Sequence, residues 1–257
     1  MSERRRHAVV TPYHRESRNM LRRCLDSVKR QTVAADHFLV ADGFPQDWID
    51  GEPVRHLKLD RAHADNGNTP RGVGALLAAA ERYDAIALLD ADNWLEPDHI
   101  ETCLAAARSA SHGICDFVIA RRIFRRPDET VMAVVDESID THVDTSCFFF
   151  LNGSYHTLPI WALMPKAASP VCDRVFYQAV RQRRLIAAVT SRPTVNFYCR
   201  YESAYRALGE TPPPDAKPNA SGRPFVDWLA TLSDRELEIE GRLAGGPLAR
   251  PARKSAR

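Results

Sequence analysis

The sequence predicts an α/β fold with a mostly parallel central sheet flanked by helices and a second half less regular than the first. Three observations predict it. Short apolar runs alternate with amphipathic stretches through the first hundred residues, in the β-α-β-α-β order that builds parallel sheets. Three of those runs end in polar clusters: Thr11-Pro12-Tyr13, Asp42-Gly43 and Asp90-Ala91-Asp92. The composition is that of an ordinary globular chain, with 44% hydrophobic and 26% charged residues in 257.

The elements follow in order. Residues 7–11 (HAVVT) read as a buried strand closed by Pro12. Leu21, Cys24, Leu25 and Val28 then recur at i, i+3, i+4 and i+7, the spacing of a helix with one apolar face. Residues 37–41 (HFLVA) form a second strand and 54–59 a third, more exposed one. Pro70 opens a helix where its missing N–H is not needed, with Val73, Leu76, Leu77 and Ala80 on its apolar face. Residues 85–89 (AIALL) make a central strand, and a third helix starts near Pro97 with Ile100, Cys103, Leu104 and Ala107 facing inward.

Beyond residue 110 the pattern loosens. Residues 117–124 and 131–135 read as strands, paired as a hairpin around 125–129. Residues 148–151 are an apolar run, and 173–184 read as a helix. Short strands follow at 185–190 and 194–198, then a Pro-, Ser-, Asn- and Gly-rich loop at 211–223. Residues 227–243 predict one or two short helices, and 245–257 read as a disordered basic tail.

Bulk properties exclude several classes. A net charge of +2 is too mild for a protein whose main partner is nucleic acid. The six cysteines include no C-x-x-C pair and are expected to be reduced thiols. No secretory leader pattern opens the sequence, and no apolar run approaches a membrane span. The expected setting is the cytoplasm, with peripheral contact to the inner face of the membrane left open. The oligomeric state is unspecified.

Asp90 and Asp92 are the strongest chemical signal. Two carboxylates 4 Å apart repel by roughly 4 kcal/mol at an intermediate dielectric. A bound dication removes that repulsion, and Mg²⁺ or Mn²⁺ suits oxygen ligands that leave positions open for phosphates. The alternative is that they end a strand and cap the next helix. There is no P-loop, no complete dinucleotide fingerprint and no G-x-S-x-G elbow.

Thr11-Pro12-Tyr13, Asp42-Gly43, the GNTPRGVG stretch at 67–74 and Asp90-Ala91-Asp92 form an ordered set that resembles the GT-A glycosyltransferases of family 2, over roughly residues 8–107. The resemblance implies a single Rossmann-like GT-A domain over 1–244, with a nucleotide-sugar-binding half at 7–110 and an acceptor-side half at 111–244. It implies a nucleotide-diphosphate sugar donor (a UDP-sugar favoured), Mn²⁺ or Mg²⁺, and inverting transfer to a glycan, lipid-linked or small-molecule acceptor, with a place in cell-surface polysaccharide biosynthesis.

Carried over by position, Pro12 and Tyr13 would line the base pocket with Thr11 nearby, and Asp42 would lie beside the base or ribose. Arg71 would help hold the donor, Asp90 would sit near the ribose and metal, and Asp92 would ligate the metal. Asp173, in a segment similar to the family's acidic pair, would be the general base; an ordinary helix cap is the alternative. Trp161 would stack on an acceptor sugar or belong to the core, and His156 is a further candidate for an acceptor or metal contact. Asp144-Thr145-Ser146 would line the acceptor side or simply make a polar turn. The sequence departs from the family at Ala41, Gly72 and Asn93. Two rivals remain: a sugar nucleotidyltransferase, which the TPYHRES loop disfavours, and a non-catalytic binding protein on the same fold.

Overall fold

In the computed structural model of this chain, residues 5–110, 114–132, 139–140 and 142–250 are described. The first half folds in the expected strand and helix order, but the helix that holds Pro70 buries Gly74, Ala75 and Ala78, not the expected face of Val73, Leu76, Leu77 and Ala80, and Leu76 is exposed. Strands β1 (His7–Tyr13), β2 (Asp36–Asp42), β3 (Arg55–Leu59) and β4 (Ala85–Leu88) alternate with helices α1 (Arg18–Lys29) and α2 (Asn68–Ala80). Ser17 caps α1 by accepting a hydrogen bond from the Met20 N–H at 3.3 Å. Helix α3 (His99–Arg108) follows the short β5 (Trp94–Leu95).

All seven residues of β1 are buried, because this strand lies inside the sheet with helices on both faces. Two glycines let α2 come close. A Cβ on Gly74 would lie 2.6 Å from a Val10 methyl and 2.8 Å from one of Val40; on Gly72 it would lie 2.5 Å from the Ala162 nitrogen.

Strands β6 (Phe117–Arg125), β7 (Phe148–Leu151) and β8 (Ala187–Tyr198) complete an eight-stranded sheet of order β3-β2-β1-β4-β7-β6-β8-β5. The β3-β2-β1-β4 half is parallel. β7 runs antiparallel to both β4 and β6, β6 pairs parallel with β8, and β5 pairs antiparallel with β8, so the whole sheet is mixed. The remaining helices are α4 (Pro159–Leu163), α5 (Cys172–Gln182), α6 (Glu202–Ala207), α7 (Arg223–Thr231) and α8 (Asp234–Leu243).

The second half departs from the sequence reading in three places. The two strands expected at 185–190 and 194–198 are one strand, β8, which starts at Ala187; Pro193 is tolerated because the ladder with β6 is irregular there, between Ile119 and Arg122. The expected hairpin reduces to one bridge between Arg125 and Val131, and residues 133–138 lie outside the described residues. Residues 245–250, read as part of a disordered tail, fold back: the Gly246 N–H donates to the Gly241 carbonyl at 2.8 Å, and Arg250 pairs with Asp234 at 2.6 Å. Residues 251–257 lie outside the described residues.

The core runs from the central strands into an aromatic cluster beneath β7. Trp161 stacks on Phe176 at 4.3 Å between centroids, and Phe148 meets Phe176 edge-on at 5.2 Å. No helix among the described residues is long and apolar enough to cross a membrane.

Candidate active site

β4 is buried along its length and delivers Asp90 and Asp92 at its carboxyl end, the end where open parallel sheets bind ligands. The turn is held from several sides. The Asp90 N–H and the Asn93 side-chain amide both donate to Ser146 Oγ, at 3.0 and 2.9 Å. Asn93 Oδ1 accepts from the Tyr198 N–H at 2.9 Å, tying the turn to the end of β8. Arg23 donates to the Asp92 carbonyl at 2.7 Å while its guanidinium lies over the Trp94 ring, 4.0 Å from the centroid.

The two carboxylates differ in their partners. Asp90 is paired with Arg71 at 2.7 Å; Arg71 is buried in α2, is braced by Asn68 at 3.0 Å, and lies over the Trp161 ring at 4.8 Å. Asp92 receives no hydrogen bond at its carboxylate from any described residue. Burial pushes its carboxyl up to about 7, and the charges of Asp90, Asp144 and Glu16 add to the effect against Lys217 alone.

That is the condition of a carboxylate short of a cation. Among the described residues, no group of three or more His, Cys, Asp and Glu side chains could hold a metal unaided. Asp92, with Asp90 beside it, could offer oxygen ligands to a hard cation, the rest of whose shell would have to come from outside these residues.

Asp144 belongs to the same cluster. Its Oδ1 accepts from the Ser146 N–H at 3.0 Å and its Oδ2 from Arg122 at 2.7 Å. Burial raises its carboxyl despite Arg122, and Asp90 and Asp173 contribute. Asp173 stands in the first turn of α5; its Oδ2 accepts from His142 Nε2 at 2.6 Å, and its Oδ1 accepts from the Arg174 N–H at 2.7 Å. The Tyr201 phenol is raised by burial and then by the charges of Asp144, Asp173, Asp92 and Asp90. The fold thus gathers Asp90, Asp92, Asp144 and Asp173 around one space, although the outermost are 83 positions apart in the sequence.

Several sequence-selected residues lie elsewhere. Trp161 is completely buried in the core, so its ring offers no face to an acceptor sugar. His156 is exposed, but it follows β7, whose Leu151 pairs with Ala85 at the opposite end of β4 from Asp90. Thr11 is fully buried, and its hydroxyl bonds with His37 at 2.8 Å. Tyr13 is closed over: its hydroxyl accepts from the Gln46 N–H at 3.0 Å and bonds with His56 at 2.7 Å. Pro12 lies on the other side of β1, against Gly67 and near Arg71.

Asp42 is spent inside the protein. Its Oδ1 accepts from both the backbone N–H and Nδ1 of His63, at 2.9 and 2.8 Å, and its Oδ2 from the Ala64 N–H at 3.2 Å. Burial opposes its charge, but those bonds outweigh it and hold the carboxyl below its ordinary value. Sequence reasoning missed His63 and His142 and left Asp144 as turn chemistry. Nothing local marks these residues, whose partners lie 21 to 31 positions away.

A parallel half-sheet that presents paired carboxylates at its carboxyl edge defines an α/β protein whose ligand site lies at the ends of those strands. The family model described as "Glycosyl transferase family 2" matches residues 8–163, more than half of the chain, and the chain belongs to that family. Among curated proteins it is similar to "Putative glycosyltransferase EpsH" of Bacillus subtilis (strain 168), at 28% identity over 102 residues. That match spans 38% of this chain and only 29% of the relative.

Among solved structures, the fold is similar to S. aureus TarS 1–349 in complex with UDP-GlcNAc, with a TM-score of 0.59 at 12% identity over 93% of this chain and 71% of that one. TarS 1–349 in complex with UDP gives a TM-score of 0.58 at 10% identity, covering 93% and 70%. At these identities the likeness is one of fold, the GT-A architecture expected from the sequence.

Proposed function

We propose that this chain transfers a sugar from a nucleotide-diphosphate sugar, with a UDP-sugar favoured, to an acceptor hydroxyl with inversion at the anomeric carbon. The observation that carries the reading is the contrast between Asp90, neutralised by buried Arg71, and Asp92, whose carboxylate has no ion pair among the described residues. A divalent ion, Mn²⁺ or Mg²⁺, held by Asp92 with Asp90 would supply charge stabilisation to the leaving diphosphate. Arg71 is too deeply buried to move with the substrate; it fixes the orientation of Asp90. Asp173 takes the proton of the acceptor hydroxyl as that oxygen bonds to the anomeric carbon and the bond to the diphosphate breaks. The acceptor is a glycan, a lipid-linked sugar or a small hydroxyl compound, and a role in building cell-surface polysaccharide fits the reading.

The departures from the family pattern have packing reasons, which weakens the non-catalytic alternative. Ala41 is fully buried in β2, and Gly72 is where α4 meets α2. A thermal-shift panel of UDP-, GDP-, dTDP- and CDP-sugars with and without Mn²⁺, on wild type and Asp92→Ala, tests the reading. Ligand at a hundred times its dissociation constant adds about 2.7 kcal/mol of stability. The expected result is a Mn²⁺-dependent rise with uridine nucleotides that Asp92→Ala abolishes. No rise with any donor would favour a protein that does not bind nucleotide sugars.

A further inference from the structure

We propose that His63, held in one orientation by Asp42, reads the base of the donor nucleotide and selects uracil through its Nε2 lone pair. The inference rests on the donor-binding reading above and specifies which side chain recognises the base.

The position follows from the sheet. Asp42 ends β2, and the order β2-β1-β4 sets it two strands from Asp90, about 10 Å away at ordinary strand spacing. In the donor-binding reading, a nucleoside diphosphate with its phosphates at Asp90 and Asp92 is long enough to set its base at the end of β2. There Asp42 has no oxygen to give, since its side chain is 4% exposed and both oxygens are bonded to the loop that follows β3. The His63 imidazole is 25% exposed and stands on the solvent side of that carboxylate.

The loop is built to hold it there. Gly43 is left-handed at φ 78°, and a Cβ on it would lie 2.3 Å from the Ala62 nitrogen, so the loop backbone lies directly on the end of β2. Ala64 at φ 51° and Asn66 at φ 56° are left-handed without being glycine, a strain the surroundings must sustain. Asn66 sustains part of it by donating from Nδ2 to the Ser169 carbonyl at 2.9 Å.

The chemistry of the ring follows from its partner. An ionised carboxylate only accepts, so the 2.8 Å contact requires the proton on Nδ1. In the neutral ring Nε2 is then an acceptor, and no other described residue bonds to it. An acceptor at this point pairs with the N3–H of uracil, whereas cytosine presents a lone pair at N3.

The test is binding of UDP and CDP with Mn²⁺ by calorimetry, with Mn²⁺-pyrophosphate as the base-free probe, on wild type, His63→Phe and Asp42→Asn. One hydrogen bond predicts that wild type prefers UDP over CDP by about fivefold to tenfold. His63→Phe should bring the two nucleotides to near-equal affinity and leave pyrophosphate binding unchanged. Asp42→Asn, which no longer fixes the Nδ1 proton, should also narrow the preference. A merely structural role for His63 would instead weaken UDP, CDP and pyrophosphate together, and that result overturns the inference. So does a wild type that binds the two nucleotides equally or prefers CDP, or a His63→Phe variant that keeps the preference. A wild type that binds pyrophosphate and no nucleotide overturns it and the donor reading together.

Discussion

In the proposed function Asp173 serves the acceptor and not the donor. It lies in the first turn of α5, and its carboxylate is fixed by His142 at 2.6 Å and by the Arg174 N–H at 2.7 Å. A base acts on the acceptor proton and not on the nucleotide. Asp173→Ala is therefore expected to leave the Mn²⁺-dependent thermal shift intact and to lower transfer by about 10²- to 10⁴-fold. Full transfer by that variant, measured as release of nucleoside diphosphate in the presence of acceptor, would remove Asp173 from the mechanism. The carboxylates of this site were legible in the sequence because each stands at the end of a periodic element, after AIALL for Asp90 and Asp92 and at a helix start for Asp173. The side chains that orient them were not. Arg122, His142 and His63 join their carboxylates through tertiary contacts that no local pattern encodes. Thr11 and Tyr13 are buried with the rest of β1, so the strand has no polar alternation to say which of its side chains would meet a ligand.

Helix α2 couples the core to the site. Its first turn carries Arg71, and its glycines let it lie against β1, β2 and α4. Gly72→Ala should gain up to about 1 kcal/mol of helix propensity. The new Cβ, however, would stand 2.5 Å from the Ala162 nitrogen and 2.6 Å from its Cβ, where backbone must move, and such overpacking typically costs about 1–3 kcal/mol. The overlap wins, so urea unfolding should show a net loss of stability. Because Arg71 precedes Gly72, donor affinity should fall with it. Gly51→Ala is the control, since nothing lies within 4 Å of a Cβ there, and it should be neutral within about 0.5 kcal/mol. At this scale the order of strands and helices in the parallel half was legible from their periods, but the buried face of α2 was not: close packing runs through Gly74, Ala75 and Ala78, and the larger Leu76 is left exposed. The second half was read as fragments because β8 crosses Pro193 through an irregular ladder, and only its pairing with β6 makes one strand of it.

The whole molecule carries two opposed responses to pH. His37 and His99 are buried with no carboxylate partner among the described residues, and burial lowers them to about 3 and about 4, against about 6.5 in an unfolded chain. As pH falls below 6.5 the unfolded state takes up protons that these rings refuse. Each then removes roughly 1.4 kcal/mol of stability per pH unit until its folded value is reached. Asp92 and Asp144 act in the other direction. Burial raises both, so their contribution is fully present below the ordinary aspartate value and is lost as pH rises, for Asp92 through about 7. Between about pH 4.5 and 6 the two pairs nearly cancel, and the melting temperature of the free protein should be almost flat. His99→Gln removes one of the acid-sensitive rings and should make stability fall with rising pH. Asp92→Asn removes one of the alkaline-sensitive carboxyls and should make it rise. Saturating Mn²⁺ and UDP should tilt the wild-type profile in the same direction as Asp92→Asn, because a bound cation keeps Asp92 ionised without penalty. A wild-type profile that does not respond to metal and nucleotide would show that the raised carboxyl is not where the cation binds.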